Sequence, residues 1–178
     1  MPRKPRLELA GGIHHVYARG NRRQPIYLSD RDRTIYLELL AQVVKRQGWS
    51  CLAYCLMKNH VHLLVETPQA NLGAGMGRMH GVYAQGFNKR YRHTGHLFQG
   101  RFGSVLVKTD AQLLQTARYI ALNPVDAGLC ETADDWPWGS HGAVRSGDGP
   151  AWLDRAKLLA YFGAAGGDPR RVYEQLVR

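Results

Sequence analysis

Alternating hydrophobic and polar residues predict four short strands and three helices in the first two thirds of the chain. Side chains two apart share a strand face, whereas those three or four apart share a helix face. The predicted elements are strand 12–18, helix 30–46, strand 49–57, strand 60–66, helix 72–92, strand 101–108 and helix 110–123. Ser29 or Asp30 can cap the first helix, and Gly48 ends it. Asp110 is expected to cap the last helix, and Asn123-Pro124 to end it.

The order β-α-β-β-α-β is typical of the ferredoxin-like split βαβ plan. We therefore predict an α+β domain with a ferredoxin-like βαββαβ sheet and one added helix, over residues 1–135. Residues 136–178 contain a Gly/Ser/Pro-rich loop and two short helical patterns. They are expected to form a small helical C-terminal extension that packs on the same domain.

The composition favours a soluble cytoplasmic protein. The 178 residues are 44% hydrophobic, yet no apolar run approaches the roughly 18 residues that a membrane span needs. Residues 1–6 lack the apolar core of a signal peptide, and three cysteines fit a reducing compartment. A membrane partner is therefore not expected.

Positive charge is concentrated in one part of the chain. The 24 Lys and Arg outnumber the 14 Asp and Glu, and no carboxylate lies between Glu66 and Asp110. That segment carries Arg78, Lys89, Arg90, Arg92, Arg101 and Lys108 among aromatic residues and histidines. Basic residues interleaved with aromatics suit a phosphate backbone and unstacked bases. Nucleic acid is the favoured partner, and a solvated basic face is the alternative.

Two histidines share one face of the third predicted strand. His60 and His62 alternate with Val61, Leu63 and Val65, which point to the other face. Two neighbouring imidazoles can bind a divalent metal, although such a pair also occurs on ordinary strands. A structural zinc site that adds Cys51 and Cys55, at C-x3-C-x4-H-x-H spacing, is a second possibility.

The helix predicted over 110–123 presents a tyrosine away from its apolar stripe. That stripe is formed by Leu113, Ala117, Ile120 and Ala121, with Leu114 at its margin. Tyr119 falls on the opposite side, with Asn123 one turn later. Tyr119 is either a surface tyrosine or a nucleophile. Tyr83 and Tyr91 are weaker candidates.

These groups together suggest phosphodiester transesterification. A tyrosine oxygen attacks phosphorus, forms a phosphotyrosyl bond and expels the deoxyribose 3′-hydroxyl. Because a phenol has a pKa near 10, it needs a divalent ion that polarises the phosphoryl group. Mg²⁺ and Mn²⁺ prefer oxygen ligands, and Asn123 offers an amide oxygen beside the histidine pair.

Three segments carry a family resemblance. They are AYCLMKNHVHLL at 53–64, GHLFQGRF at 95–102 and RYIALNPVDAG at 118–128. In this order and spacing they resemble the single-tyrosine His-hydrophobe-His (HUH) transposases, and more narrowly the REP-associated tyrosine transposases. The similarity runs from about residue 11 to residue 140.

The resemblance implies a ferredoxin-like fold and Mg²⁺ or Mn²⁺ as cofactor. It also implies cleavage of single-stranded DNA beside hairpin-forming repeats through a 5′-phosphotyrosine. By position, His60 and His62 are the metal-binding pair, Tyr119 is the nucleophile, and Asn123 stands where insertion-sequence relatives tend to use glutamine. The expected DNA-binding residues are Arg19, Arg22, Arg23, Arg78, Lys89, Arg90, Arg92, His96, Gln99 and Arg101.

We therefore predict a metal-dependent single-stranded DNA endonuclease and strand transferase of the transposase type. It is expected to act as a monomer or homodimer. The alternative is a domesticated nucleic-acid-binding module that keeps the same fold without catalysis.

Overall fold

A computed structural model describes residues 9–163 and 166–178. The N-terminal residues from which we predicted the absence of a signal peptide lie outside this part. The strands are β1 Gly12–Arg19, β2 Ser50–Leu56, β3 His60–Thr67 and β4 Gly103–Val107. The helices are α1 Asp30–Gln47, α2 Leu72–Tyr91, α3 Asp110–Asp126, α4 His141–Ser146, α5 Arg155–Gly163 and α6 Pro169–Val177. Each predicted strand and helix is present.

The four strands form one antiparallel sheet in the order β2-β3-β1-β4. This confirms the predicted α+β, ferredoxin-like arrangement. Strand β3 is hydrogen-bonded to β1 on one side and to β2 on the other. Val61, Leu63 and Val65 are buried in the core, and His60 and His62 alternate with them on the opposite face. A strand paired on both sides is a rigid support for the two histidines.

Local hydrogen bonding determines where α1 begins and ends. The Ser29 hydroxyl accepts from the backbone N–H of Asp32, and the Asp32 carboxylate accepts in return from the backbone N–H of Ser29. This capping box places Ser29, rather than Asp30, at the N-cap. Gly48 ends the helix at φ 68°, a conformation that glycine adopts without steric penalty.

The structure corrects both ends predicted for α3. Thr109, not Asp110, is the N-cap, because its side chain accepts from the backbone N–H of Gln112. The helix also continues through Pro124 to Asp126. Asn123 and Pro124 are both buried, so tertiary packing outweighs the tendency of a proline to end a helix at the preceding residue.

The C-terminal residues cover the outer edge of β2. The carbonyl of Trp138 accepts from the Leu56 backbone N–H, and the Ser140 backbone N–H donates to the Tyr54 carbonyl, both at 2.9 Å. Pairing of this kind satisfies backbone groups that an edge strand leaves open. Helix α4 lies inside the Gly/Ser/Pro-rich stretch up to Pro150 that we predicted to be a loop, so that expectation was wrong.

The described helices include none that is both long and apolar enough to cross a membrane.

Candidate functional site

Helix α3 packs against β2 and β3 and brings Asn123 to the histidine face of the sheet. The Oδ1 atom of Asn123 lies 3.0 Å from Nε2 of His60. On the other side of the same ring, Nδ1 of His60 lies 2.8 Å from Oδ1 of Asn59. A neutral imidazole has a single N–H, so it can donate to only one of these two oxygens.

His62 has a partner that the sequence did not indicate. Its Nδ1 atom lies 3.0 Å from Nε2 of His15, on the neighbouring strand β1. His15, Tyr17 and His62 share one sheet face, because Tyr17 is directly opposite His62 in the β1–β3 register. The alternation in the β1 sequence predicts that His15 and Tyr17 share a face, but it does not predict this register.

The imidazoles of His15, His60 and His62 all have lowered pKa values. Burial lowers the pKa of His62 to about 3, with further lowering by His15, His60 and the Arg19 guanidinium. Burial also lowers the pKa of His60, against an opposing effect of its hydrogen bond with Asn123. The pKa of His15 is lowered by burial as well. All three rings are therefore neutral near pH 7, and neutral imidazole is the form that binds metal ions.

Tyr119 lies beside the histidine pair, one helical turn before Asn123. Its side chain is 44% exposed, whereas Leu113, Ala117, Ile120 and Ala121 are buried, as the predicted stripe requires. The Tyr119 ring centroid is 5.2 Å from that of His62 and 5.8 Å from that of His15. The preceding residue anchors the helix, because the Arg118 Nε atom donates to the Leu176 carbonyl at 2.8 Å. The phenol is thus exposed on a tethered helix.

Three of the predicted DNA-binding residues line a cavity of about 190 Å³ that opens on His60 and His62. They are Arg19, Gln99 and Arg101. Arg23 lines a neighbouring depression with Lys58 and Asn59. Arg22 is exposed nearby in the 3₁₀ turn Asn21–Arg23. His96 lines a larger cavity along α2, which shares Gln99 and Arg101 with the cavity at the histidine pair.

The basic residues predicted on α2, and Arg92 directly after it, do not line the cavity at the histidine pair. Arg78, Lys89 and Arg92 are exposed and do not line it. Arg90 donates to the fully buried carboxylate of Asp32 at 2.6 Å. Burial would raise the pKa of Asp32, but hydrogen bonds from the Tyr91 hydroxyl and from the Leu28 and Ser29 backbone lower it. The Arg90 guanidinium therefore neutralises a buried charge.

The geometry contradicts the zinc alternative. Cys51 and Cys55 are buried, and in the metal-free protein burial raises the pKa of each thiol to about 12. Within residues 9–163 and 166–178, no three or more His, Cys, Asp or Glu side chains are grouped so as to hold a metal. A metal at His60 and His62 would thus depend on an amide as third ligand.

The two weaker tyrosine candidates have structural partners. The Tyr83 hydroxyl donates to the Ile26 carbonyl at 2.6 Å and is buried. The Tyr91 hydroxyl donates to the Asp32 carboxylate at 2.8 Å. Neither of them belongs to the group formed by His60, His62 and Tyr119.

Comparison with known proteins identifies the family. The family model described as IS200-like transposase matches residues 10–123. A Haemophilus influenzae protein named as a REP-associated tyrosine transposase is 28% identical over 134 residues, covering 65% of this chain and 76% of that protein. A solved REP-associated tyrosine transposase bound to a REP hairpin has a TM-score of 0.68 at 19% identity, covering 84% of this chain and 89% of that one. That likeness supports the fold.

Because the match to this family model spans more than half of the chain, the protein belongs to the IS200-like transposase family.

Proposed function

We propose that this protein is a metal-dependent single-stranded DNA endonuclease and strand transferase that cleaves beside DNA hairpins through a 5′-phosphotyrosine. One observation carries the proposal: the His60 Nε2 and Asn123 Oδ1 atoms lie 3.0 Å apart, and Tyr119 lies one helical turn before Asn123. The residues that we propose as metal ligands and nucleophile therefore lie close together within one chain. A monomer would be sufficient for cleavage, although a homodimer remains compatible with this site.

The donor atoms suit Mg²⁺ or Mn²⁺. If His60 carries its proton on Nδ1 and donates it to Asn59, its Nε2 lone pair faces the lone pairs of Asn123 Oδ1, and the two atoms repel each other. Rotation of the amide, or a cation between these atoms, would relieve that repulsion. At a separation of 3.0 Å, Nε2 of His60 and Oδ1 of Asn123 are close enough that both would hold the same ion, and such an ion favours an amide oxygen as ligand.

His15 can do for His62 what Asn59 does for His60, namely accept the proton on Nδ1 of the ring. If Nδ1–H of His62 donates to Nε2 of His15, the Nε2 lone pair of His62 is free for the ion. Bound there, the ion would polarise the phosphoryl oxygens and reduce their repulsion of an incoming nucleophile. Three side chains would hold it: His60, His62 and Asn123.

Tyr119 would perform the bond exchange. Its phenolic oxygen loses a proton and forms a bond to phosphorus, while the bond from phosphorus to the deoxyribose 3′-oxygen breaks and that oxygen takes up a proton. The product is a 5′-phosphotyrosine and a free 3′-hydroxyl. Attack by another 3′-hydroxyl reverses these steps and joins a new strand. Exposure of Tyr119 leaves its oxygen accessible to DNA.

We propose hairpin-forming single-stranded DNA as the substrate. The solved structure of similar fold holds a REP hairpin, and Arg19, Arg23 and Arg101 lie close to the histidine pair. Exposed guanidinium groups neutralise phosphates and release counterions. Cytoplasmic localisation is part of this proposal.

The deciding experiment is a cleavage assay on a labelled single-stranded hairpin library with Mn²⁺ or Mg²⁺, read on a denaturing gel. Wild type should give a covalent adduct, and Tyr119→Phe should bind the DNA without forming it. Tyr91→Phe is the matched control and should keep the adduct. Excess EDTA should abolish cleavage. Tight binding without any adduct would replace the proposal by the non-catalytic module.

A further inference from the structure

The cavity at the histidine pair is lined by an aromatic residue, Tyr17, to which the proposed cleavage mechanism assigns no role. We name this cavity the β1 pocket, lined by Tyr17, Arg19, His60, His62, Gln99 and Arg101 among others. Tyr17 is 43% exposed, although its cross-strand neighbour His62 is buried. An exposed aromatic ring beside exposed guanidinium groups is a combination that single-strand-binding proteins use to stack bases.

A glycine on the edge strand gives the Tyr17 ring its place. Gly103 pairs with Tyr17 across β1 and β4, and a Cβ atom at Gly103 would overlap the far end of the Tyr17 ring. The ring therefore lies directly against the β4 backbone. Any side chain at position 103 would displace it.

Backbone hydrogen bonds hold the loop that carries Gln99, another residue of the β1 pocket. The Gln99 backbone N–H donates to the Arg19 carbonyl at 3.0 Å, and that of Asn21 donates to the Leu97 carbonyl at 2.8 Å. Between them, Phe98 is buried and stacks on His80 at a centroid distance of 4.3 Å. This anchored loop places Gln99 at the lining of the β1 pocket.

We propose that the β1 pocket binds one unpaired nucleobase of the strand whose phosphate Tyr119 attacks, with the base stacked on Tyr17 and its edge bonded by Gln99. At about 190 Å³ the pocket is smaller than the roughly 300 Å³ of the smallest drug-sized sites, so it suits one flat ring system. A carboxamide offers the donor and acceptor that base edges need. Among the residues that the structure describes, no carboxylate lines the pocket to repel the flanking phosphates. This inference rests on the proposed function.

The test places 2-aminopurine at successive positions of the single-stranded flank of a hairpin that the protein binds. Binding is measured with Tyr119→Phe in EDTA, so that no cleavage occurs. One position should change its fluorescence on binding. Adding Tyr17→Ala should abolish that change and weaken binding about 5- to 150-fold, the usual effect of removing one base-stacking aromatic. Tyr17→Phe should retain both signals.

Two further variants separate stacking from general surface effects. Val105→Ala removes another exposed apolar side chain, of 46% exposure, from the same sheet face outside the pocket, and should change nothing. Gly103→Ala should displace the Tyr17 ring and reproduce the loss. In the Tyr17→Ala background Gly103→Ala should be silent, because no ring remains to be displaced.

The outcomes distinguish this inference from the cleavage proposal. If Tyr17→Ala binds every labelled flank like the parent while wild type still forms the adduct, the pocket assignment is wrong and the nuclease stands. If the fluorescence change depends on Tyr17 but wild type forms no adduct, the pocket stands and cleavage fails. Should Tyr17→Ala unfold at the assay temperature, Gly103→Ala decides. A lowered melting temperature with an unchanged fluorescence signal would make the Tyr17 ring purely structural and overturn the inference.

Discussion

Replacement of His15 by phenylalanine is expected to weaken metal binding at His60 and His62. In the free protein without His15, His62 can carry its proton on Nε2. Metal binding to Nε2 would then leave a buried Nδ1–H without an acceptor, since His62 is only 7% exposed. The penalty falls on the loaded form alone, and so it appears in the dissociation constant.

The size of the effect follows from that orphaned group. A buried N–H without an acceptor costs about 1–3 kcal/mol, which is about 5- to 150-fold in a dissociation constant. Loss of the partner behind a metal-bound histidine typically weakens affinity about 10- to 100-fold. We therefore expect the Mn²⁺ dissociation constant of His15→Phe to rise by about 10- to 100-fold.

The assay is calorimetric titration of Mn²⁺ into the DNA-free protein. His15→Gln is the matched control, because its side-chain oxygen can accept from His62 and should restore most of the affinity. Phenylalanine keeps the ring volume beside Tyr119, so the melting temperature should change little. An unchanged Mn²⁺ dissociation constant in a folded His15→Phe would refute the proposed role of His15.

Further predictions concern charge, pH, the amide ligand and salt. Arg90→Ala should lower the free energy of unfolding, measured in urea, by about 2–3 kcal/mol, because buried Asp32 loses a charged partner. The control Arg92→Ala should change the free energy of unfolding by less than about 0.5 kcal/mol. A large loss of DNA affinity at unchanged stability would contradict the role assigned to Arg90. Burial lowers the pKa of His80 to about 4, so unfolding takes up a proton below the ordinary pKa near 6.5. His80 alone should therefore reduce stability by about 2 kcal/mol between pH 7 and pH 5, and urea titrations of His80→Gln should lack that part of the slope. Asn123→Leu should weaken Mn²⁺ binding at least about tenfold, and Asn123→Gln should keep more of it, as calorimetry would show. Raising salt from about 50 to 200 mM should weaken hairpin binding about 100-fold or more, and a flat response would exclude several phosphate contacts.

The fold could be predicted from local features because each element carries its own signal. Alternation identifies the strands, and the capping box of Ser29 and Asp32 marks the start of α1. The C-terminal end of α3 could not be predicted in the same way. Continuation through Pro124 depends on packing against other elements, and local preference does not include it.

The sequence predicts those parts of the candidate site whose residues share one strand or one helix. His60 and His62 share a face because of strand geometry, and Tyr119 and Asn123 share a side of one helix. The partnership of His15 with His62 depends on the β1–β3 register, which the sequence does not encode locally. Likewise, the Arg90–Asp32 pair joins residues of two helices, so sequence reasoning places Arg90 among the expected DNA-binding residues and does not reveal its buried partner.

The side chains proposed as metal ligands come from two different structural elements, the sheet and helix α3. His60 and His62 belong to the sheet, while Asn123 belongs to α3, the helix that also carries Tyr119. An ion held by all three would cross-link helix to sheet and restrain the nucleophile. Mass action would then stabilise the folded chain by about 2.7 kcal/mol at a concentration 100 times the dissociation constant. Slowed amide hydrogen exchange along α3 would be the direct sign of that cross-link.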